Sequence, residues 1–405
     1  MESIVIIGAS HASVDAIAAL RKGGWEGNIT LIGDEAELPY QRPPLSKAYF
    51  NGALESIKLP IRPDTFYDNN KVDVRLGVRA EAIDRNSKRI SLGDGSEVPY
   101  TFLIFATGTR ARYLNVEGAD RPEINYLRTK ADVDRIKSLA VEGSKLLIVG
   151  AGYIGLELAS SAVKQGVDVT VLEAMDRVLA RVTSPQVSEF YQHVHAQEGV
   201  KVRLNTQLEK FTDVDGQFSA IVNDGEQLLF DSAVIGIGVI PNSELAEQAG
   251  LSCDNGIVVN EFTQTDDPSI FAIGDCSNHP NQFYNKRVRL ESVPNAVEQA
   301  KTAASVICGS PKAHDALPWF WSDQYDIKLQ TAGLFNDYDQ VVVRGESAAR
   351  KFAVFYLKDA YLIAVDAINS PVEFMISKKL ILNRVQPNLE QLADPDVAIK
   401  SLLES

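Results

Sequence analysis

Three glycines and one carboxylate carry the clearest chemistry in this 405-residue chain: Gly150, Gly152 and Gly155 in the turn Gly150-Ala151-Gly152-Tyr153-Ile154-Gly155, and Glu173, 23 positions after Gly150. In a G-x-G-x-x-G turn the first glycine makes a tight corner, the second lets backbone approach a pyrophosphate, and the third allows a helix to pack closely. The helix beginning there adds about half a positive charge at its N-terminus. An acid at the tip of the next strand accepts both ribose hydroxyls of an adenosine and repels a 2′-phosphate. The set reads as a dinucleotide site that favours NADH over NADPH, with Arg177 and Arg181 nearby to soften the discrimination.

A related set opens the chain, where Gly8-Ala9-Ser10-His11-Ala12-Ser13 is followed by Thr30-Leu31-Ile32-Gly33-Asp34. Ser10 and Ser13 stand where the second and third glycines belong. A Cβ at position 10 crowds a pyrophosphate, although the hydroxyl can donate a hydrogen bond in compensation. At position 13 alanine is also accepted in such turns, and serine is one atom larger. By itself this turn is as much an ordinary helix start as a cofactor site. Asp34 at the strand tip, Ala106-Thr107-Gly108 and Gly274-Asp275 weigh toward the site. Two such units in one chain imply two dinucleotides brought face to face, which is the plan of a flavoprotein reductase. Asp275 then either accepts hydrogen bonds from a ribityl chain or N-caps the segment that follows. Lys47 either stabilises an anionic reduced flavin, pairs with an acid beside it, or is a solvated loop lysine.

The elements that must position these residues follow from the apolar pattern. Ile4–Ile7 and Lys145–Val149 read as buried strands, each running through its glycine turn into an amphipathic helix. Prolines 39, 43 and 44 stiffen the loop that carries Arg42 and Lys47. Short strands are expected at 72–76, 89–92 and 102–106, then at 201–204, 218–222 and 233–237. Asp267–Asp275 repeats an apolar strand ending in Gly-Asp, as though the first domain resumes. From about Pro318 the pattern is of β-hairpins (341–344, 352–357 and 361–365) and a closing helix. The expected fold is α/β. Two Rossmann-like dinucleotide-binding domains, FAD-binding (1–112 and 240–317, discontinuous) and NAD-binding (113–239), precede a small α+β domain (318–405).

Composition narrows the function further. A formal charge of −14 argues against nucleic acid or an anionic membrane as partner. No apolar run approaches the ~20 residues needed to span a bilayer, so a cytoplasmic protein is expected. Cys253, Cys276 and Cys308 are too scattered for a disulfide framework or a redox dithiol, and the five histidines show no metal-ligand spacing.

The run Gln41-Arg42-Pro43-Pro44-Leu45-Ser46-Lys47-Ala48-Tyr49 carries a resemblance, together with Ala106-Thr107-Gly108, Gly150 to Glu157, Ile273-Gly274-Asp275-Cys276, Arg289 to Ala296 and Pro318 to Tyr325. In this order they resemble the putidaredoxin reductase and rhodocoxin reductase family over essentially the whole chain. The resemblance implies a glutathione reductase-like fold, noncovalent FAD, NADH as donor and a [2Fe-2S] ferredoxin as acceptor, serving a haem-thiolate monooxygenase or a Rieske-type dioxygenase. It places FAD contacts on Ala12, Asp34, Arg42, Lys47, Ala80, Arg128, Asp275, Val293 and Trp321. NADH contacts fall on Gly152, Tyr153, Ile154, Glu157, Glu173 and Gly238. It also implies that Lys47 and Glu157 lie at the reactive end of the flavin; the rival role for Glu157 is to complement its helix dipole.

An acidic ferredoxin would dock on a positive patch, for which Lys286, Arg287 and Arg289 are the candidates, with Arg62 and Lys328 behind them. A monomer or weak homodimer is expected. The competing functions are an NADH-dependent reductase of rubredoxin, monodehydroascorbate or oxygen, and a redox-gated interaction flavoprotein.

Overall fold

The computed structural model describes residues 2–403, which form two compact units. The first takes in the chain up to Gln41, Ile57–Arg110 and Val239–Pro318. The second takes in Arg42–Ser56, Ala111–Gly238 and the chain from Trp319 onward.

The first unit is built on a five-stranded parallel sheet in the order Ile270–Ala272, Phe102–Phe105, Ser3–Ile7, Asn28–Gly33, Val72–Leu76. Side chains alternate across a strand, and here both faces are covered. Ile4 and Ile6 pack with Ala16, Ile17 and Leu20 of the helix His11–Lys22 and with Ala300 and Ala303 of the helix Val293–Ile307. Val5 and Ile7 pack on the opposite face with Leu103, Phe105, Ile90 and Leu92. Two covered faces explain the unbroken apolar run, and each such side chain contributes about 1.5–3 kcal/mol on burial.

The second unit repeats that arrangement. Its parallel sheet runs Lys201–Arg203, Asp168–Leu172, Lys145–Val149, Ser232–Ile235, Ile124–Tyr126. In each sheet the strand feeding the glycine turn lies centrally, between the next strand of its own βαβ unit and a strand that returns from a β-rich excursion. A crossover direction that reverses beside this strand leaves a crevice at the carboxyl ends, where open α/β sheets bind ligands. The α/β expectation with two Rossmann-like sheets holds.

The chain from Trp319 differs in detail from its sequence pattern. Five antiparallel strands form one sheet, in the order Trp319–Gln324, Ile327–Gly333, Tyr361–Ile368, Lys351–Lys358, Gln340–Glu346, with the helix Pro371–Leu382 packed on it. The first two strands escape the pattern because Tyr325-Asp326 joins them, not a glycine turn. Tyr325 takes a φ of 58°, which is uncommon for a bulky side chain. Among the described residues no helix is long and apolar enough to cross a membrane.

Candidate functional site

In the second unit the three turn glycines do three different jobs. Gly150 sits at φ 107°, and a Cβ there would lie 2.4 Å from the carbonyl oxygen of Gly236. At Gly155 it would lie 2.2 Å from the carbonyl oxygen of Gly150, so the helix Tyr153–Val163 can seat against the strand only without a side chain. At Gly152, the N-cap of that helix, a Cβ would meet nothing within 4 Å. The open approach and the helix N-terminus suit a pyrophosphate.

Glu173 is fixed beside the turn. Its carboxylate accepts from the Ala151 amide (2.8 Å) and the Met175 amide (2.9 Å). Arg177, weighed in the sequence as a partner for a 2′-phosphate, is committed elsewhere: its guanidinium donates to Thr183 O (2.8 Å), Ser188 Oγ (2.7 Å) and Ala180 O (2.7 Å). Arg181 remains exposed. Ile154 and Gly238 are exposed and Tyr153 half-buried, its ring 4.7 Å from that of Phe320.

Glu157 and Lys47 are brought together. Glu157 is buried, and its Oε2 lies 2.6 Å from Lys47 Nζ. Ser46 donates to the same oxygen at 2.6 Å and Ser322 to Oε1 at 2.6 Å, while Lys47 also donates to Pro43 O (3.1 Å). Lys47 is therefore no solvated loop lysine. The dipole reading of Glu157 also fails on position: the residue lies in the second helical turn, and the dipole effect fades beyond the first. Arg42 donates to Arg128 O at 2.8 Å, and Trp321 lies half-buried 5.8 Å from the Trp319 ring.

The sequence did not single out Ser46 or Ser322. Ser46 carried a signal, adjoining Lys47 in the proline-stiffened run, whereas the burial of Ser322 in the strand Trp319–Gln324 shows only in the structure.

In the first unit Gly8 sits at φ 110°, where a Cβ would lie 2.2 Å from Ala106 O. Gly8 and the Ala106-Thr107-Gly108 turn are thus packed backbone to backbone. The two serines are accommodated: buried Ser13 accepts from the Ser10 amide (2.9 Å) and donates to Ser10 O (2.7 Å), while Ser10 caps the helix in extended conformation. Gly274 meets the starts of two helices, since a Cβ there would lie 3.3 Å from Ala12 Cβ and 3.6 Å from Ala296 Cβ. Its amide donates to Gln299 Oε1 (2.7 Å).

Asp275 lies inside the 3-10 turn Gly274–Cys276, which leads into a strand, so it does not N-cap a following helix. Its Oδ2 is 3.5 Å from the Thr109 hydroxyl. Asp34 is exposed at the strand tip, Ala80 is buried, and Val293 starts its helix half-buried. A carboxylate at a strand end and two helix N-termini meeting one glycine form a cradle suited to a second dinucleotide.

The proposed docking cations are not equivalent. Arg289 is largely enclosed, its side chain 10% exposed, pairing with Glu291 (2.7 Å) and donating to Asp275 O (3.2 Å). A partner could reach it only by displacing those bonds. Arg287 is exposed, but its guanidinium is also tied down, donating to Asn278 Oδ1 (3.1 Å), to Val259 O (2.7 Å) and to Asn278 O. All three cysteines are free, and burial raises each thiol pKa, Cys253 to about 11. Among the described residues no group of three or more His, Cys, Asp or Glu is placed to hold a metal.

The family model for pyridine nucleotide-disulphide oxidoreductases matches residues 2–300, and that for the reductase C-terminal domain matches 319–403. The chain is 43% identical to putidaredoxin reductase CamA of Pseudomonas putida, over 99% of this chain and 97% of that protein. It is 42% identical to rhodocoxin reductase of Rhodococcus erythropolis, over 98% and 93%. Among solved structures it resembles the covalent putidaredoxin reductase–putidaredoxin complex, with a TM-score of 0.96 and 42% identity over 100% of this chain and 98% of that one.

Proposed function

Since the chain belongs to the pyridine nucleotide-disulphide oxidoreductase family, in the group of putidaredoxin and rhodocoxin reductases, we propose that it passes electrons from NADH through FAD to a [2Fe-2S] ferredoxin. The chain is an FAD- and NAD(H)-dependent oxidoreductase. The ferredoxin in turn serves a haem-thiolate monooxygenase or a Rieske-type dioxygenase. One observation carries this reading: two glycine turns occupy the same place in two like-ordered parallel sheets of a chain whose three thiols are free and unpaired. With no dithiol to take two electrons together, a one-electron protein acceptor fits the chemistry. The bound flavin supplies the conversion of two-electron hydride chemistry into single-electron transfer.

The chain's own residues bind and orient. The turn at Gly152 admits the NADH pyrophosphate to the N-terminus of Tyr153–Val163, and Glu173 receives the ribose hydroxyls. In the first unit the turn at Gly8–Ala12, Asp34, Ala80, Gly108, Gly274, Asp275 and Val293 hold FAD. Lys47 and Glu157 serve the reacting end: with nicotinamide bound, a shift of the 2.6 Å ion pair would leave the Lys47 ammonium to neutralise the negative charge that the flavin would take up. If Glu157→Gln leaves the rate of flavin reduction by NADH unchanged, this role is lost.

For the acceptor we propose an acidic ferredoxin docking on exposed Arg287 with Lys286, the enzyme acting in the cytoplasm as a monomer or weak dimer. The decisive experiment is a visible spectrum of the purified protein followed by NADH-driven cytochrome c reduction with and without candidate ferredoxins. A flavin spectrum and strong ferredoxin stimulation are expected. Turnover without that stimulation would point to a reductase of another acceptor.

A further inference from the structure

Glu157 is the end of a longer buried chain of hydrogen bonds. Ser322 Oγ, which donates to Glu157 Oε1, lies 3.3 Å from Gln324 Nε2. Gln324 Oε1 lies 2.8 Å from His195 Nε2, and His195 Nδ1 lies 2.9 Å from the Tyr325 hydroxyl. Glu157, Ser322, Gln324 and His195 are all buried. His195 comes from the helix Pro185–Gln197, and the other four partners come from the hairpin around Tyr325 and the helix Tyr153–Val163.

An ionised Glu157 forces the direction of every bond. A carboxylate only accepts, so Ser322 must spend its proton on it. The Ser322 oxygen can then only accept, which turns the Gln324 NH2 toward Ser322 and the Gln324 carbonyl toward His195. That carbonyl needs a donor, so His195 carries its proton on Nε2. The bare Nδ1 of the neutral ring then accepts from Tyr325. Four donors in series thus point at one carboxylate, and such chains reinforce one another in a low-dielectric interior.

The surroundings keep the ring in that state. Burial lowers the His195 pKa to about 4, against the Gln324 bond and the weaker pull of Glu198, the C-cap of the same helix. Glu198 is itself paired with Arg350 at 3.3 Å, and Arg350 with Asp326 at 2.5 Å. Lys164 lies 5.4 Å from the Tyr325 ring centroid. Tyr325 holds its left-handed backbone while donating to the ring, a conformation that persists only where neighbouring contacts over-determine it.

We propose that His195 is a positioning residue for hydride transfer, its neutral Nε2-protonated ring fixing the Gln324 amide and so committing the Ser322 hydroxyl to Glu157. The claim rests on the role proposed above for Glu157. The carboxylate keeps one oxygen for Ser322 and the other for Ser46 and Lys47, which orients the Lys47 pair. Without the Nε2 donor, Gln324 can flip its amide and Ser322 can turn away, leaving Oε1 without its donor.

The test is stopped-flow reduction of the flavin by NADH in the holoenzyme. His195→Leu and Ser322→Ala should each slow the limiting rate about three- to tenfold, the scale of one lost buried hydrogen bond. The NADH Kd should stay within about twofold, because a fault in binding would shift Kd instead. The double variant should be no slower than either single one, since both break the same chain. His195→Gln, which keeps an amide donor near the Nε2 position, should restore most of the rate.

Losses that multiply in the double variant, or an unaffected His195→Leu, would overturn the proposal. Glu157→Gln separates the failures. An unchanged rate there removes the role of Glu157 and the positioning claim with it, whereas a slowed Glu157→Gln beside a normal His195→Leu removes the positioning claim alone. Should His195→Leu fail to fold, long-range 1H–15N spectra of the wild-type holoenzyme decide. The ring assigned to His195 should hold the Nε2-protonated neutral pattern from about pH 5.5 to about pH 8, a pattern it shares with buried His279, whose Nδ1 lies 3.0 Å from Gln299 Nε2. A ring at His195 that is Nδ1-protonated or doubly protonated in that range would refute the chain.

Discussion

Replacing Gly152 and Gly155 separately by alanine divides ligand approach from packing within one turn. At Gly152 the backbone is extended (φ −78°) and a methyl group meets nothing within 4 Å, so Gly152→Ala has no steric cost in the protein itself. Its loss as a helix N-cap is worth at most about 1 kcal/mol. The methyl would instead stand where a pyrophosphate must approach, and the NADH Kd should rise tenfold or more, equivalent to about 1.4 kcal/mol. At Gly155 the methyl would lie 2.2 Å from Gly150 O, 1.2 Å inside the 3.4 Å at which ordinary contact begins (3.4 − 2.2 = 1.2). That carbonyl is backbone and cannot rotate aside, so overpacking should cost about 1–3 kcal/mol. Titration calorimetry with NADH and thermal unfolding of the flavin-loaded proteins read the two effects apart. Gly152→Ala should unfold near the wild-type temperature and bind NADH poorly; Gly155→Ala should melt lower by a few degrees. A folded Gly152→Ala with wild-type NADH affinity would refute the pyrophosphate assignment, and a Gly155→Ala of undiminished Tm would refute the packing argument.

Other outcomes follow from particular side chains. With Arg177 already bonded to three acceptors, Glu173→Ala should raise the NADPH to NADH ratio of kcat/KM by about tenfold, chiefly by removing repulsion; an unchanged ratio would show that Glu173 does not read the ribose. Asp366, buried and accepting from Tyr356 (2.6 Å) and Thr183, has its pKa raised to about 6 by burial. The folded protein therefore binds more protons than the unfolded chain between about pH 4 and pH 6, and Asp366 costs stability that is fully felt above that window. Asp366→Asn should gain stability relative to wild type as pH rises from about 4 to about 7, by up to about 3 kcal/mol, checked by denaturant melts across pH; a pH-independent difference would refute it. Arg287→Glu should raise the KM for an acidic ferredoxin several-fold at low salt, with the difference shrinking as salt is added; equal KM values would move docking elsewhere.

The glycine turns were legible because their demands are local and severe. Gly8 and Gly150 both need a positive φ and contact with a neighbouring backbone, and only glycine meets both. The parallel sheets were legible through apolar runs that two covered faces require. What escaped depends on contacts between distant segments. Ser46, Glu157 and Ser322 lie 111 and 165 positions apart in their two hydrogen bonds, and no spacing rule joins them. The serines of the first turn looked like defects from size alone, whereas Ser13 bonds both the amide and the carbonyl of Ser10. Asp275 was ambiguous because a Gly-Asp pair at a strand end fits several continuations, and only the following strand rules out a cap. The first C-terminal hairpin went unread because Tyr325, not glycine, supplies its left-handed residue.

The quiet chemistry of the cysteines has a practical use. Near neutral pH Cys253, Cys276 and Cys308 all remain protonated, and one is fully enclosed, so maleimides and iodoacetamides should find little to attack in the native protein. A single cysteine introduced at an exposed position such as Lys328 or Arg62 would then be the preferred labelling site without first deleting the natural ones. A fluorophore placed there would report acceptor docking on an otherwise unaltered enzyme.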